Sequence, residues 1–130
     1  MNKHLLSNKK VLVVEDEMLV AMLIEDMLGE LGCTAITVVA DIESALNCIE
    51  FDVFDLVTLD LNLNGTRSFP VADCLMERRI PFAFSTGYAA GVVGAGYGSS
   101  PILAKPYLPS QLEAVIADLL SRVDPAPVTS

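Results

Sequence analysis

Four short apolar runs in this chain each end in a residue type that can take part in group-transfer chemistry. Glu15 and Asp16 follow Val11-Leu12-Val13-Val14, and Asp60 closes Leu56-Val57-Thr58-Leu59. Thr86 closes Phe82-Ala83-Phe84-Ser85, and Lys105 follows Ile102-Leu103-Ala104. Three carboxylates brought together repel and push one another's pKa upward. A hard divalent cation such as Mg2+, held by carboxylate and carbonyl oxygens, relieves that repulsion. Lys105 would add a positive point charge and Thr86 a hydroxyl, a set that suits a phosphoryl group. Asp60 is then placed to be the nucleophile of an aspartyl phosphate. Taken alone, Asp60 reads equally well as a turn cap with Asn62 and Gly65.

Those residues can meet only if the runs are parallel strands with their carboxyl ends on one edge, where open α/β sheets bind ligands. The pattern between them fits. Residues 10–14 read as a buried strand, followed by a helix with Val20, Ile24, Met27, Leu28 and Leu31 on one face and Gly32 as its C-cap. Residues 34–39 alternate and branch like a second strand, and Asp41 has N-cap chemistry for a helix reaching about Glu50, with Ala45, Leu46 and Ile49 inward. Residues 57–60 are the third strand; Ser68 and Pro70 open a helix that closes on Arg78-Arg79. Two more strands end at Thr86 and Ala104. Ser110-Gln111-Leu112-Glu113 reads as the capping box of a last helix carrying Leu112, Val115, Ile116, Leu119, Leu120 and Val123. Gly91, Gly94, Gly96 and Gly98 crowd the place of a fourth helix, and each costs about 0.8–1 kcal/mol relative to Ala in a helix interior. A short or irregular helix, or a mobile loop, is expected there. The predicted fold is a flavodoxin-like (βα)5 three-layer sandwich around a five-stranded parallel sheet.

Composition narrows the classes of function. The chain has 130 residues, enough for one domain with a real core, and 52% of them are hydrophobic, which excludes disorder. A net charge of −9, with only 8 Lys and Arg and no basic cluster, argues against nucleic acid. No apolar run approaches the roughly 20 residues of a membrane helix, and residues 1–8 lack the apolar core of a signal peptide. Cys33, Cys48 and Cys74 are widely spaced without a C-x-x-C, as expected of reduced packing thiols in a cytoplasmic protein.

With these motifs in order, the chain resembles the receiver domains of two-component response regulators (CheY-like) over residues 9–123. The matching stretches are Val-Leu-Val-Val-Glu-Asp-Glu, Leu-Asp-Leu-Asn-Leu-Asn-Gly, Phe-Ser-Thr-Gly-Tyr and Lys-Pro. The resemblance implies that Asp60 accepts the phosphoryl group from a sensor histidine kinase or a histidine phosphotransfer protein. It implies Mg2+ bound by Asp16, Asp60 and the backbone carbonyl of Asn62, with Glu15 acting through a bound water. Thr86 and the Gly87 amide would hold phosphoryl oxygens and Lys105 would pair with one, aimed inward by a cis Lys105-Pro106 bond. Asn62 and Tyr88 occupy the positions that tune dephosphorylation in the family. Three departures stand out: Glu15 where Asp is more usual, Asn64 in place of a frequent Pro, which should loosen the turn before Gly65, and Ile102 in place of the switch aromatic. The Phe-Ser-Thr-Gly-Tyr variant resembles a subset of receivers often lacking output domains. The expectation is a stand-alone receiver with a flexible arm (1–8) and tail (124–130), a monomer or weak phosphorylation-dependent dimer. It would signal by protein contact or serve as a phosphate sink, and catalyse only its own phosphorylation and dephosphorylation.

Two rivals follow from the same residues: an aspartate-nucleophile phosphohydrolase, and a degenerate receiver that only binds partners. The first normally has an acid two residues after the nucleophile, and Asn62 cannot donate that proton. Blander roles suit other residues. Glu17 reads as a first-turn acid, Asp52 and Asp55 as solvated loop acids, His4 as part of the arm, and Tyr97 and Tyr107 as surface packing.

Overall fold

The computed structural model describes residues 2–87 and 100–122. The glycine-rich segment 91–98, Tyr88, Tyr97, Val123 and the tail lie outside the described residues. In chain order the described elements are β1 (Lys10–Val14), α1 (Met18–Glu30), β2 (Ala35–Val39), α2 (Ile42–Phe51), β3 (Leu56–Asp60), β4 (Asn62–Leu63) and β5 (Thr66–Arg67). They continue with α3 (Phe69–Glu77), β6 (Phe82–Thr86), β7 (Ile102–Ala104) and α4 (Pro109–Ser121). Five strands form one parallel sheet in the order β2-β1-β3-β6-β7. β3 and β6 are buried along their whole length, which is why they read as continuous apolar runs, whereas the edge strand β2 is half exposed.

Alternate side chains of the central strands feed two cores. Val11, Val13, Leu56, Ala83 and Leu103 pack with Ile24 and Leu28 of α1 and Leu112, Ile116 and Leu119 of α4. Leu12, Val14, Val57, Leu59, Phe82 and Phe84 pack with Ala45 and Ile49 of α2 and Val71, Ala72 and Leu75 of α3. Phe84 anchors the second core through edge-to-face contacts with Phe82 at 5.4 Å and Phe69 at 6.3 Å.

Local signals were met at several points. Asp41 caps α2 by accepting from Ser44 N–H at 2.7 Å. Gly32 has φ +93°, and a Cβ there would lie 2.3 Å from the Lys3 carbonyl, so only glycine closes α1 this way. Other points differ. Residues 2–8, expected as a free arm, cover the end of α1: Leu6 is fully buried and its N–H donates to Leu31 O at 2.8 Å. The last helix starts earlier than the capping box suggested, with Pro109 at N1. Leu108 has no side-chain acceptor, so only half a box forms, its N–H donating to Gln111 Oε1 at 2.7 Å.

The turn after Asp60 also departs from expectation. Asn64 and Gly65 have φ +53° and +83° and join β4 to β5 as a two-residue hairpin. That is the backbone a type I′ turn requires, and Asn-Gly is its favoured pair. Asn64 therefore tightens this turn instead of loosening it.

Candidate functional site

Because the main sheet is parallel, the ends of β1, β3, β6 and β7 share one edge, and the four groups of residues singled out above lie along it. Glu15 is 2% exposed, Asp60 5% and Thr86 1%, so this is a charged site set into the protein and not a rim of solvated acids. Glu15, Asp16 and Asp60 each offer a carboxylate oxygen, and these oxygens lie within 4.8 Å of one another. Lys105 reaches in from the loop after β7, its Nζ 2.9 Å from Glu15 Oε1 and 3.1 Å from Asp60 Oδ2. The Lys105-Pro106 bond is cis, and Lys105 N–H donates to Thr86 O at 2.7 Å, tying the loop to β6.

Backbone amides orient all three acids. Asn62 N–H donates to Asp60 Oδ1 at 3.1 Å, Asn64 N–H to Asp16 Oδ2 at 2.9 Å, and Glu17 N–H to Glu15 Oε2 at 3.1 Å. The hairpin turn thus has a function: it carries the Asn64 amide across to Asp16. What is seen of Asn62 is its amide on Asp60; the role expected of its carbonyl belongs to the metal-bound state. Ser68, absent from the sequence-based set, donates its hydroxyl to Asp60 O at 2.6 Å. It stands at the N-cap position of α3 yet makes no side-chain cap there.

The electrostatics follow from burial. Burial pushes the Glu15 carboxyl up to about 7; Lys105 pulls it back and the neighbouring Asp60 adds to the rise. Burial alone would lower Lys105, but its hydrogen bonds to Glu15 and Asp60 outweigh that and hold it above the ordinary lysine value. One cation therefore faces three carboxylates, and Glu15 is the one whose carboxyl is lifted toward neutrality. The donor set is all oxygen, with no thiol or imidazole in it, and it fits a hard divalent cation. The cysteines stand apart: Cys33 is buried, and burial raises its thiol pKa, as expected of a packing residue.

Several residues weighed at the sequence level take other places. Tyr107, expected at the surface, is 8% exposed and sits in the α1/α4 core. Ile102 packs, partly buried, against the α2/α3 core. Asp55 is not merely solvated, since its Oδ2 accepts from Lys10 N–H of β1 at 2.7 Å. Gly87 is exposed at the end of β6, and Tyr88 is outside the described residues.

Fold, strand-end acids and inward lysine define a class, and a family comparison agrees: residues 11–117 match the response regulator receiver domain. The chain belongs to that family, a signalling module of two-component systems. It is 32% identical over 123 residues to a probable transcriptional regulator, ycf27, of Cyanophora paradoxa, covering 92% of this chain and 51% of that protein. The chain spans about half the length of the first curated relatives it matches. Among solved structures it resembles SdrG from Sphingomonas melonis Fr1, with TM-score 0.78 and 38% identity over 86% of this chain and 96% of that one. It also resembles the BeF3-activated conformation of SdrG from Pseudomonas melonis Fr1, with TM-score 0.75 and 36% identity over 92% of this chain and 99% of that one.

Proposed function

We propose that Asp60 accepts a phosphoryl group from a histidine on a sensor kinase or phosphotransfer protein, and that the chain passes the signal on by protein contact. The observation that carries this is the single Lys105 ammonium set between buried Glu15 and Asp60, with Asp16 close by. An Asp60 carboxylate oxygen attacks phosphorus, the phosphorus–nitrogen bond to the donor imidazole breaks, and its electron pair stays on that nitrogen. Asn62 N–H and Lys105 orient the attacking carboxylate. Lys105, the Thr86 hydroxyl and the Gly87 amide then hold the charge on the phosphoryl oxygens. Glu15, Asp16, Asp60 and the Asn62 carbonyl would hold Mg2+, which when bound supplies positive charge to the phosphoryl group and the carboxylates. Catalysis is confined to the protein's own phosphorylation and dephosphorylation, in the cytoplasm. Among the described residues no helix is long and apolar enough to cross a membrane.

A protein donor has a surface to land on. Met18, Leu19, Met22 and Leu23 of α1 are 53–77% exposed, and α1 begins two residues after Asp16, so this apolar strip borders the mouth of the site.

Incubation with acetyl phosphate and Mg2+ should add one phosphate to the wild-type chain and none to Asp60→Asn, read by intact mass. Phosphate on the Asn variant, or none on wild type, would overturn the assignment. Steady turnover of a generic phosphate ester would point instead to a hydrolase.

A further inference from the structure

After Asp60 the backbone runs through Leu61 into the β4–β5 hairpin and returns at Ser68, which is fully buried. Ser68 closes this loop twice: its N–H donates to Leu61 O at 2.9 Å and its hydroxyl to Asp60 O at 2.6 Å. The other end of the same peptide is held by β6, Leu61 N–H donating to Ser85 O at 2.9 Å. The peptide that follows Asp60 is therefore pinned at both its carbonyl and its amide.

Ser68 is anchored in turn. Its carbonyl accepts from Val71 N–H at 3.0 Å and Ala72 N–H at 3.2 Å, in the first turn of α3, and both residues are buried in the α2/α3 core. A serine at this N-cap position would ordinarily turn its oxygen toward the free amides of the helix. This one makes no such cap and points its hydroxyl back to the strand.

Two acids depend on the loop that Ser68 closes. Asn62 N–H donates to Asp60 Oδ1 at 3.1 Å, and from the turn of the hairpin Asn64 N–H donates to Asp16 Oδ2 at 2.9 Å. Asp16 follows β1 and Asp60 ends β3, yet their carboxylate oxygens lie within 4.8 Å, and the hairpin binds both. Carboxylates this close repel, so their spacing is set by the groups that hold them. A swing of the Asp60–Leu61 peptide would carry the Asn62 and Asn64 amides away from both acids at once.

Resting on the phosphoacceptor assignment, we propose that Ser68 is a positioning residue: its hydroxyl latches the base of the acceptor loop and so sets the spacing of Asp16 and Asp60. It acts through the Asn62 and Asn64 amides and through the backbone of Asp60. Because Ser68 is fixed to α3, the packing of that helix is carried to the acids at the sheet edge.

The test compares wild type with Ser68→Ala, which removes the hydroxyl and adds no volume, and with Ile49→Val, a small trimming of the same core that leaves the loop untouched. In metal-free buffer, amide exchange read by NMR should quicken at Asn62 and Asn64 in Ser68→Ala by more than it does in β1 and β3. Ile49→Val should quicken all of these amides alike. Mg2+ affinity, measured by calorimetry, should fall about tenfold in Ser68→Ala, the low end of what a group orienting a metal ligand is worth, and stay at the wild-type value in Ile49→Val. Phosphorylation by acetyl phosphate should slow to match at low Mg2+ and recover when Mg2+ saturates. Exchange and Mg2+ affinity that respond alike in Ser68→Ala and Ile49→Val would overturn the proposal while wild type still took up phosphate. Wild type that takes up no phosphate would instead bring down the phosphoacceptor assignment, and the role given to the latch with it.

Discussion

The two faces of the central sheet are built on opposite principles. The α2/α3 face is a packed aromatic and aliphatic core, and the buried Ser68 at its edge is satisfied by Asp60 O at 2.6 Å. The α1/α4 face, equally well filled with Leu, Ile and Val, also carries the buried hydroxyls of Thr58, Ser85 and Tyr107 beneath the Glu15–Lys105 ion pair. The contrast separates a face built by apolar packing from one that also carries the polar groups beneath the site.

The largest effect expected from breaking the first face is that of Phe84→Ala. It should cost about 3–5 kcal/mol in denaturant midpoint at any pH, because only packing is lost. On the second face Lys105→Met should approach that size, about 3 kcal/mol, since it strands two buried carboxylates. Unlike the Phe84 loss, it should grow as pH rises and Glu15 gives up its proton. Denaturation at pH 5 and pH 8 distinguishes the two, and a pH-independent Lys105 effect would erase the contrast.

Wild type should show the same signature more weakly. The Glu15 carboxyl is raised in the folded state from 4.5 to about 7, so the folded protein holds that proton more tightly than the unfolded chain does. The stability it contributes is complete below about 4.5 and lost as pH rises through about 7 in metal-free buffer. Mg2+ competes for the ionised form, so the stabilisation it confers should increase over the same interval. Glu15→Gln should flatten the metal-free curve; an unchanged slope would remove Glu15 as its source.

The apolar strip on α1 sharpens the comparison from outside. Leu19→Glu with Leu23→Glu should slow phosphorylation by a protein donor while leaving that by acetyl phosphate unchanged, measured side by side. The smallest effects have opposite signs. Ser68→Ala should destabilise by about 1–2 kcal/mol by orphaning a buried carbonyl, whereas Thr58→Val should be neutral or stabilising by up to about 1 kcal/mol by removing a buried hydroxyl.

Much of this was legible in the order of residues. An acid or lysine after an apolar run marks a strand end, and parallel strands must share an edge, so Glu15, Asp16, Asp60, Thr86 and Lys105 could be gathered before any coordinate was known. The Asn62–Arg67 hairpin was not legible, since two-residue strands have no periodicity to detect. The Asn64-Gly65 pair was the available signal for that turn. Pro109 was likewise a readable helix start that Ser110 obscured. Nothing in the chain announces that Ser68 reaches back eight residues to Asp60 O, or that Leu6 and Tyr107 enter the core.

The amino-acid sequence by itself determined the alternation of strands and helices, the shared edge and the chemical kinds of group on it, because periodicity and strand direction are local properties that propagate through simple geometry. Only the tertiary structure decided that Lys105 lies between Glu15 and Asp60, that burial lifts Glu15 to about 7, and that the buried hydroxyls of Thr58, Ser85 and Tyr107 gather on one face. Those depend on distances and desolvation between residues far apart in the chain, which no local pattern encodes.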